Sequence, residues 1–202
     1  TGLAVGGVAI SSTVLGVACG TPAATTPPPT TKPTPTPTPT TTPKTVEIIK
    51  APEGVVTLNV NGQKVVLEVK PEWSLAFVLR EKLGLVGLKI GCDRGECGSC
   101  NILVDGKAHL GCSMMAIESE GRTIVTLEGL ANGPNLHPVQ KLFLDNGTFQ
   151  CGFCTPGMIM SAVALLSKTP KPTLNEARQA IAGNLCYCGD YTRIVNTIAK
   201  GI

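Results

Sequence analysis

Eight of the nine cysteines of this 202-residue chain lie between Cys92 and Cys188, in two sets of four. A chain that keeps so many thiols so close must commit them to disulfides, zinc or iron–sulfur chemistry, and their spacing chooses among these. In the first set Cys92 is followed by Cys97, Cys100 and, after eleven further residues, Cys112. The x4/x2 triplet is the plant-type spacing of a [2Fe–2S] site. Gly91, Gly95 and Gly98 alternate with these cysteines, which lets the backbone wrap closely and aim amide N–H groups at sulfur. A zinc site normally wants two Cys-x2-Cys pairs with less glycine between them, so this set reads as iron–sulfur.

The second set is Cys151-x2-Cys154 with Cys186-x-Cys188. Each pair adjoins a predicted helix end, where thiolates and a net-negative group are favoured. Taken alone, these two pairs suit zinc as well as a second cluster, and in an exported protein disulfides form a third alternative.

Around these sets the sequence predicts two small folded regions behind an unusual N-terminus. Residues 1–20 start with eighteen uncharged, non-aromatic positions before Cys19, as an export signal or membrane anchor would. Residues 21–45 comprise 12 Thr, 9 Pro, two Ala and two Lys, with no apolar face to bury, and read as an extended disordered linker. At about 3.1 Å per residue such a stalk reaches roughly 75 Å, which is useful if its far end is tethered by the apolar segment or by a lipid on Cys19.

Residues 46–130 predict a β-grasp-like α+β domain. Val56, Leu58 and Val60 alternate with polar residues, Asn61-Gly62 turns the chain, and Val65, Leu67 and Val69 alternate back. A helix is expected over Trp73–Leu83, then strands Asn101–Val104 and Thr123–Leu127. Residues 131–202 predict a four-helix bundle: Pro138–Leu144, Pro156–Lys168 with Thr155 as N-cap, a helix opened by the capping box Thr173–Glu176, and Tyr191–Lys200 capped by Asp190.

Composition excludes other classes. Seventeen Lys+Arg against 14 Asp+Glu leave a formal charge of only +3, with no basic stripe, and aromatics are 3%. Neither a nucleic-acid field nor a base-stacking platform is present. No Ser-His-Asp set, paired carboxylates or phosphate loop stands out. His137, before Pro138, reads as a structural contact and His109 as a surface residue.

Five runs carry a family resemblance: Gly-Leu-Lys-Ile-Gly-Cys-Asp-Arg-Gly-Glu-Cys-Gly-Ser-Cys at 87–100, Thr-Leu-Glu-Gly-Leu at 126–130, His-Pro-Val-Gln at 137–140, Gln-Cys-Gly-Phe-Cys-Thr-Pro-Gly-Met at 150–158 and Gly-Asn-Leu-Cys-Tyr-Cys at 183–188. In this order, over residues 54–200, they resemble the small iron–sulfur subunit of the molybdenum hydroxylases: xanthine dehydrogenase, aldehyde oxidoreductase and carbon monoxide dehydrogenase. The resemblance implies a plant-type ferredoxin-like domain followed by a helical one. It implies two [2Fe–2S] clusters, on Cys92, Cys97, Cys100 and Cys112 and on Cys151, Cys154, Cys186 and Cys188. It further implies that Gln150 and Cys188 approach a molybdopterin held by a separate large subunit, and that electrons leave through the first cluster to a flavin-binding subunit or a cytochrome. The family usually has Arg where this chain has Tyr187, and losing that cation lowers the expected potential of the second cluster.

Two clusters carrying about −2 each would bring +3 to about −1, a near-neutral balance suited to burial in a complex. Because clusters are assembled in the cytoplasm, a signal on this chain implies export of the folded protein by the twin-arginine route to the periplasm. The competing expectation is a stand-alone two-cluster ferredoxin-like carrier.

Overall fold

The computed structural model describes residues 54–202; the predicted signal or anchor (1–20) and the Thr/Pro-rich linker (21–45) lie outside the described residues. Strand β1 (Gly54–Val60) pairs antiparallel with β2 (Gln63–Val69) through a turn in which Asn61 and Gly62 take φ of 52° and 79°. Two successive positive φ values make the type I′ turn that matches the strands' twist. Val56, Leu58 and Val60 face inward, so alternation set the register.

The expected helix forms in part. It opens later, at Leu75, with the Ser74 hydroxyl accepting from the Phe77 N–H. After α1 (Leu75–Phe77) it widens into π-helical turns over Val78–Lys82 and stops at Gly84, φ 69°. The wider turn has a packing correlate: Leu75, Ala76, Val78 and Leu79 are all buried against the sheet.

Strand β3 (Asn101–Val104) is buried throughout. Its Ile102 and Val104 join the sheet core, while Leu103, on the opposite face, enters the helical core. Two-sided burial explains its unbroken apolar run. Asp105-Gly106, both at positive φ, return the chain into β4 (Lys107–Leu110), a strand the sequence reading lacked because its Lys107, Ala108 and His109 carry no apolar alternation. Strand β5 is Thr123–Val125, two residues shorter than expected, since Leu127–Leu130 turn into a 3₁₀ segment. The sheet order is β2-β1-β5-β3-β4, with only β1 and β5 parallel. The fold is thus mixed α/β, with helices gathered beyond the sheet.

Four helices follow: α2 (Pro138–Asp145), α3 (Thr155–Leu166), α4 (Leu174–Ala180) and α5 (Tyr191–Ala199). The capping box of α4 forms as expected, and a second one opens α2: His137 Nδ1 accepts from the Val139 N–H while Gln140 accepts from the His137 N–H. His137 is therefore a structural cap. One cap expectation fails and one holds in position only. The N-cap of α3 is Cys154, not Thr155, and Asp190 caps α5 without any side-chain hydrogen bond. Asp190 turns to Arg193 instead, 3.5 Å away. Helix α3 is the central element, buried at Gly157–Val163 and packed on β3, α2 and α4. All the described residues fall in one compact unit, and among them no helix is long and apolar enough to cross a membrane.

Candidate iron–sulfur sites

The eight described cysteines are free thiols. Within each set they meet pairwise. Cys92 faces Cys97 and Cys100 faces Cys112; Cys151 faces Cys188 and Cys154 faces Cys186. Cys97 lies within electrostatic reach of Cys100, and Cys151 of Cys154, so each set of four gathers in one region as two pairs; among the described residues no three side chains converge closely enough to hold a single metal ion. Two thiols per iron and two irons per site is the donor set of a [2Fe–2S] cluster, so the residues present fit that group.

The first group is built by a loop between α1 and β3. Asp93, Gly95 and Gly98 all take positive φ there, curling the chain so that its N–H groups point inward. Gly95 donates to Cys112 Sγ and Glu96 to Cys92 Sγ, each at 3.3 Å. The Arg94 N–H, aided by those of Glu96 and Cys97 and by the Cys97 thiol, lowers the Cys92 pKa to about 7 against the opposing effect of burial. Cys100 is pushed up to about 12, first by burial and then by Cys112. Gly91 leaves room for the thiol: a Cβ there would lie 3.0 Å from Cys97 Sγ, close enough to push it by a few tenths of an ångström.

The second group joins the loop before α3 to the loop before α5. The Phe153 N–H and the Cys188 thiol lower Cys151, whereas burial and Cys186 push Cys154 up to about 12. The Cys151 N–H works to lower Cys188, but the Cys151 thiol and burial outweigh it and the net shift is upward. Buried thiols hold their protons until a metal's charge replaces them. Tyr191, which sequence reasoning passed over, holds this loop: its hydroxyl accepts from the Cys186 N–H at 2.7 Å and donates to the Asn184 carbonyl at 3.3 Å.

The two groups are neighbours. A cavity of about 350 Å³ is lined by Cys97 and Ser99 from the first and by Cys151, Cys154 and Cys186 from the second. Leu185 donates to the Cys97 carbonyl at 2.9 Å. Gln150, beside Cys151, is exposed, and Tyr187 between the last two cysteines is fully so. Phe149, Phe153 and Leu185 add exposed apolar side chains around the second group.

The comparisons with known proteins agree with this geometry. Residues 58–125 match the 2Fe-2S iron-sulfur cluster binding domain family, and residues 126–199 match a [2Fe-2S] binding domain family, which decides against zinc for the second set. The nicotinate dehydrogenase small FeS subunit of Eubacterium barkeri is 43% identical over 139 residues, covering 69% of this chain and 88% of that protein. The chain belongs to the small iron–sulfur subunits of the molybdenum hydroxylases. The xanthine dehydrogenase iron-sulfur-binding subunit of Escherichia coli O157:H7 is 46% identical, covering 71% of this chain and 91% of that one. Among solved structures, quinoline 2-oxidoreductase from Pseudomonas putida 86 has a chain that superimposes with a TM-score of 0.70 at 41% identity, over 73% of this chain and 91% of that chain. Aldehyde oxidoreductase from Desulfovibrio gigas gives 0.68 at 38%, but this chain corresponds to only 16% of that longer one. In this family the small subunit carries two [2Fe–2S] domains, and substrate chemistry and molybdopterin belong to the large subunit.

Proposed function

We propose that this chain is the electron-transfer subunit of an exported molybdenum hydroxylase, taking electrons from a molybdopterin in a large partner subunit. The observation that carries this is the second group of thiols, surrounded by exposed apolar side chains and adjoining the first. Cys92 and Cys97 with Cys100 and Cys112 would hold one [2Fe–2S] cluster; Cys151 and Cys188 with Cys154 and Cys186 would hold the other. The clusters supply one-electron storage, and the protein supplies ligands, N–H donors and a fixed spacing.

Residues 131–202 are read as the four-helix-bundle domain, docking on the partner with Gln150 and Cys188 toward the pterin. Phe149, Phe153, Leu185 and Tyr187 form an apolar rim at that face, as a permanent subunit interface requires and a freely diffusing carrier avoids. The first cluster is the exit toward a flavin-binding subunit or a cytochrome. The composition of residues 1–45 supports a periplasmic complex, exported folded and tethered by its N-terminal segment. The substrate is an aldehyde or a nitrogen heterocycle, the classes named by the relatives.

Elemental analysis of the natively purified complex tests this. About four Fe and about one Mo per copy, with two distinct [2Fe–2S] electron paramagnetic resonance signals, are expected. Four Fe without Mo would leave the independent carrier, and zinc in either group would overturn the cluster reading.

A further inference from the structure

Ser99 stands between Cys97 and Cys100, and spacing alone gives it no role. Its side chain is buried, 4% exposed, and its hydroxyl lies 3.5 Å from Cys97 Sγ. No other side-chain or backbone group bonds to that hydroxyl, and Gly91, lacking a Cβ, leaves the space in which the oxygen and sulfur meet. With free thiols the Cys97 S–H donates to the Ser99 hydroxyl. Once Cys97 is a thiolate bound to iron, the sulfur has no proton left, and the Ser99 O–H is the one remaining donor between them. A buried hydroxyl has to be paired, so it turns to the thiolate, as a charge-assisted hydrogen bond.

We propose that the Ser99 hydroxyl donates to the Cys97 thiolate and thereby raises the reduction potential of the first cluster. This rests on the cluster reading above. A hydrogen bond to a ligand sulfur is worth more in the reduced state, where the cluster carries one more negative charge, and so favours reduction. Ser99 is a positioning and tuning residue; it ligates nothing. Its location gives the effect a direction. Cys97 is the first-group thiol that lines the cavity shared with the second group, so the donor acts on the side where electrons would arrive. Ser113 offers an internal comparison: its hydroxyl lies 3.7 Å from Cys112 Sγ, but the residue is exposed, and water replaces its hydrogen bond when it is removed.

The test is a redox titration of the natively purified complex, following the two clusters separately by electron paramagnetic resonance. Ser99→Thr and Ser99→Val have the same shape and differ by the hydroxyl alone. Val is expected to disfavour reduction of the first cluster about tenfold relative to Thr, 59 mV for a one-electron couple, with the second cluster nearly unmoved. Ser113→Ala is expected to shift the first cluster by less than a third of that. Equal potentials in the Thr and Val variants, or equal shifts of both clusters, would overturn the proposal. Should Val fail to load the first cluster, resonance Raman of the wild type decides. Fe–S stretches of the first cluster that match those of the Ser99→Thr complex but move in Ser99→Ala support the donor; identical stretches in all three refute it. A wild-type complex without clusters would instead refute the functional reading itself.

Discussion

The side-chain amide of Asn184 donates to the carbonyl of Gly98 at 3.1 Å, entirely within the interior. Asn184 stands two residues before Cys186, and Gly98 stands between Cys97 and Cys100, so one buried hydrogen bond ties the two thiol-bearing loops together. The rest of the network closes around it. Ser161 of α3 donates to Asn184 Oδ1 at 2.8 Å, and Asn101 of β3 donates to Ser161 Oγ at 2.8 Å. The spacing between the sites is therefore set by sheet, helix and both loops at once.

Replacing Asn184 by Leu keeps the branched outline but removes one hydrogen bond each from the Gly98 carbonyl, Ser161 and Asn101, which retain only the Asn101 N–H and one another. A buried hydrogen bond contributes about 0.5–1.5 kcal/mol, so losing these three is expected to cost about 2–4 kcal/mol overall. Denaturant unfolding of the oxidised complex, followed by bleaching of cluster absorbance, measures it. A loss below about 0.5 kcal/mol would show that the network is not what holds the loops.

Gly157 discriminates between local and tertiary effects. It lies in the first turn of α3, where Ala would favour the helix by about 1 kcal/mol. A Cβ there, however, would run into the Gly98 carbonyl and come within 3.1 Å of Ser99 Cα. Both are backbone and cannot swing aside. Gly157→Ala is expected to lower the melting temperature and to perturb the first cluster's spectrum, although residue 157 is not near that loop in sequence. A rise in melting temperature would mean that propensity wins.

Tyr191→Phe removes the hydroxyl that accepts from the Cys186 N–H. The expected result is a loss of about 1–3 kcal/mol and a changed g-tensor for the second cluster only. An unchanged second-cluster signal would separate Tyr191 from the ligand loop.

His137 makes stability pH-dependent. Burial lowers its pKa below the usual 6.5, keeping the ring neutral so that Nδ1 can cap α2. The folded chain then binds fewer protons than the unfolded one. Its contribution is complete above about pH 6.5 and is lost as pH falls from there through the folded pKa. His137→Asn keeps a cap acceptor without a titrating ring. It is expected to flatten the stability slope as pH falls below about 6.5, and denaturant midpoints measured downward from that pH check this. An unchanged slope would assign it to other groups.

Much of this architecture was written in short stretches of sequence, because the physics there acts over a few residues. Asn61-Gly62 between two alternating runs, Thr173 three residues before Glu176, and Pro138 at a helix start each satisfy their own backbone. The x4/x2 spacing of Cys92, Cys97 and Cys100 with its glycines likewise curls one loop onto itself. Other features were out of local reach. Strand β4 has no apolar alternation and exists because β3 offers it an edge. The π-helical widening after Phe77 accompanies four neighbouring side chains that all reach the sheet core. Asp190 stands at the N-cap of α5, but its carboxylate pairs with Arg193 rather than with a helix N–H.

Short-range signals marked the residues that carry the chemistry: four thiols by their x4/x2 spacing and interleaved glycines, and four more as two close pairs beside helix ends. The tertiary structure alone decided how those thiols pair, since Cys151 meets Cys188 and Cys154 meets Cys186 only after α3, α4 and α5 have packed. It also decided how close the two sets stand. That distance depends on hydrogen bonds from Asn184, buried, and from the Leu185 N–H to a loop more than eighty residues earlier. Contacts of such range leave no periodicity in the chain, because they form only when a shared core excludes the water that would otherwise satisfy those groups.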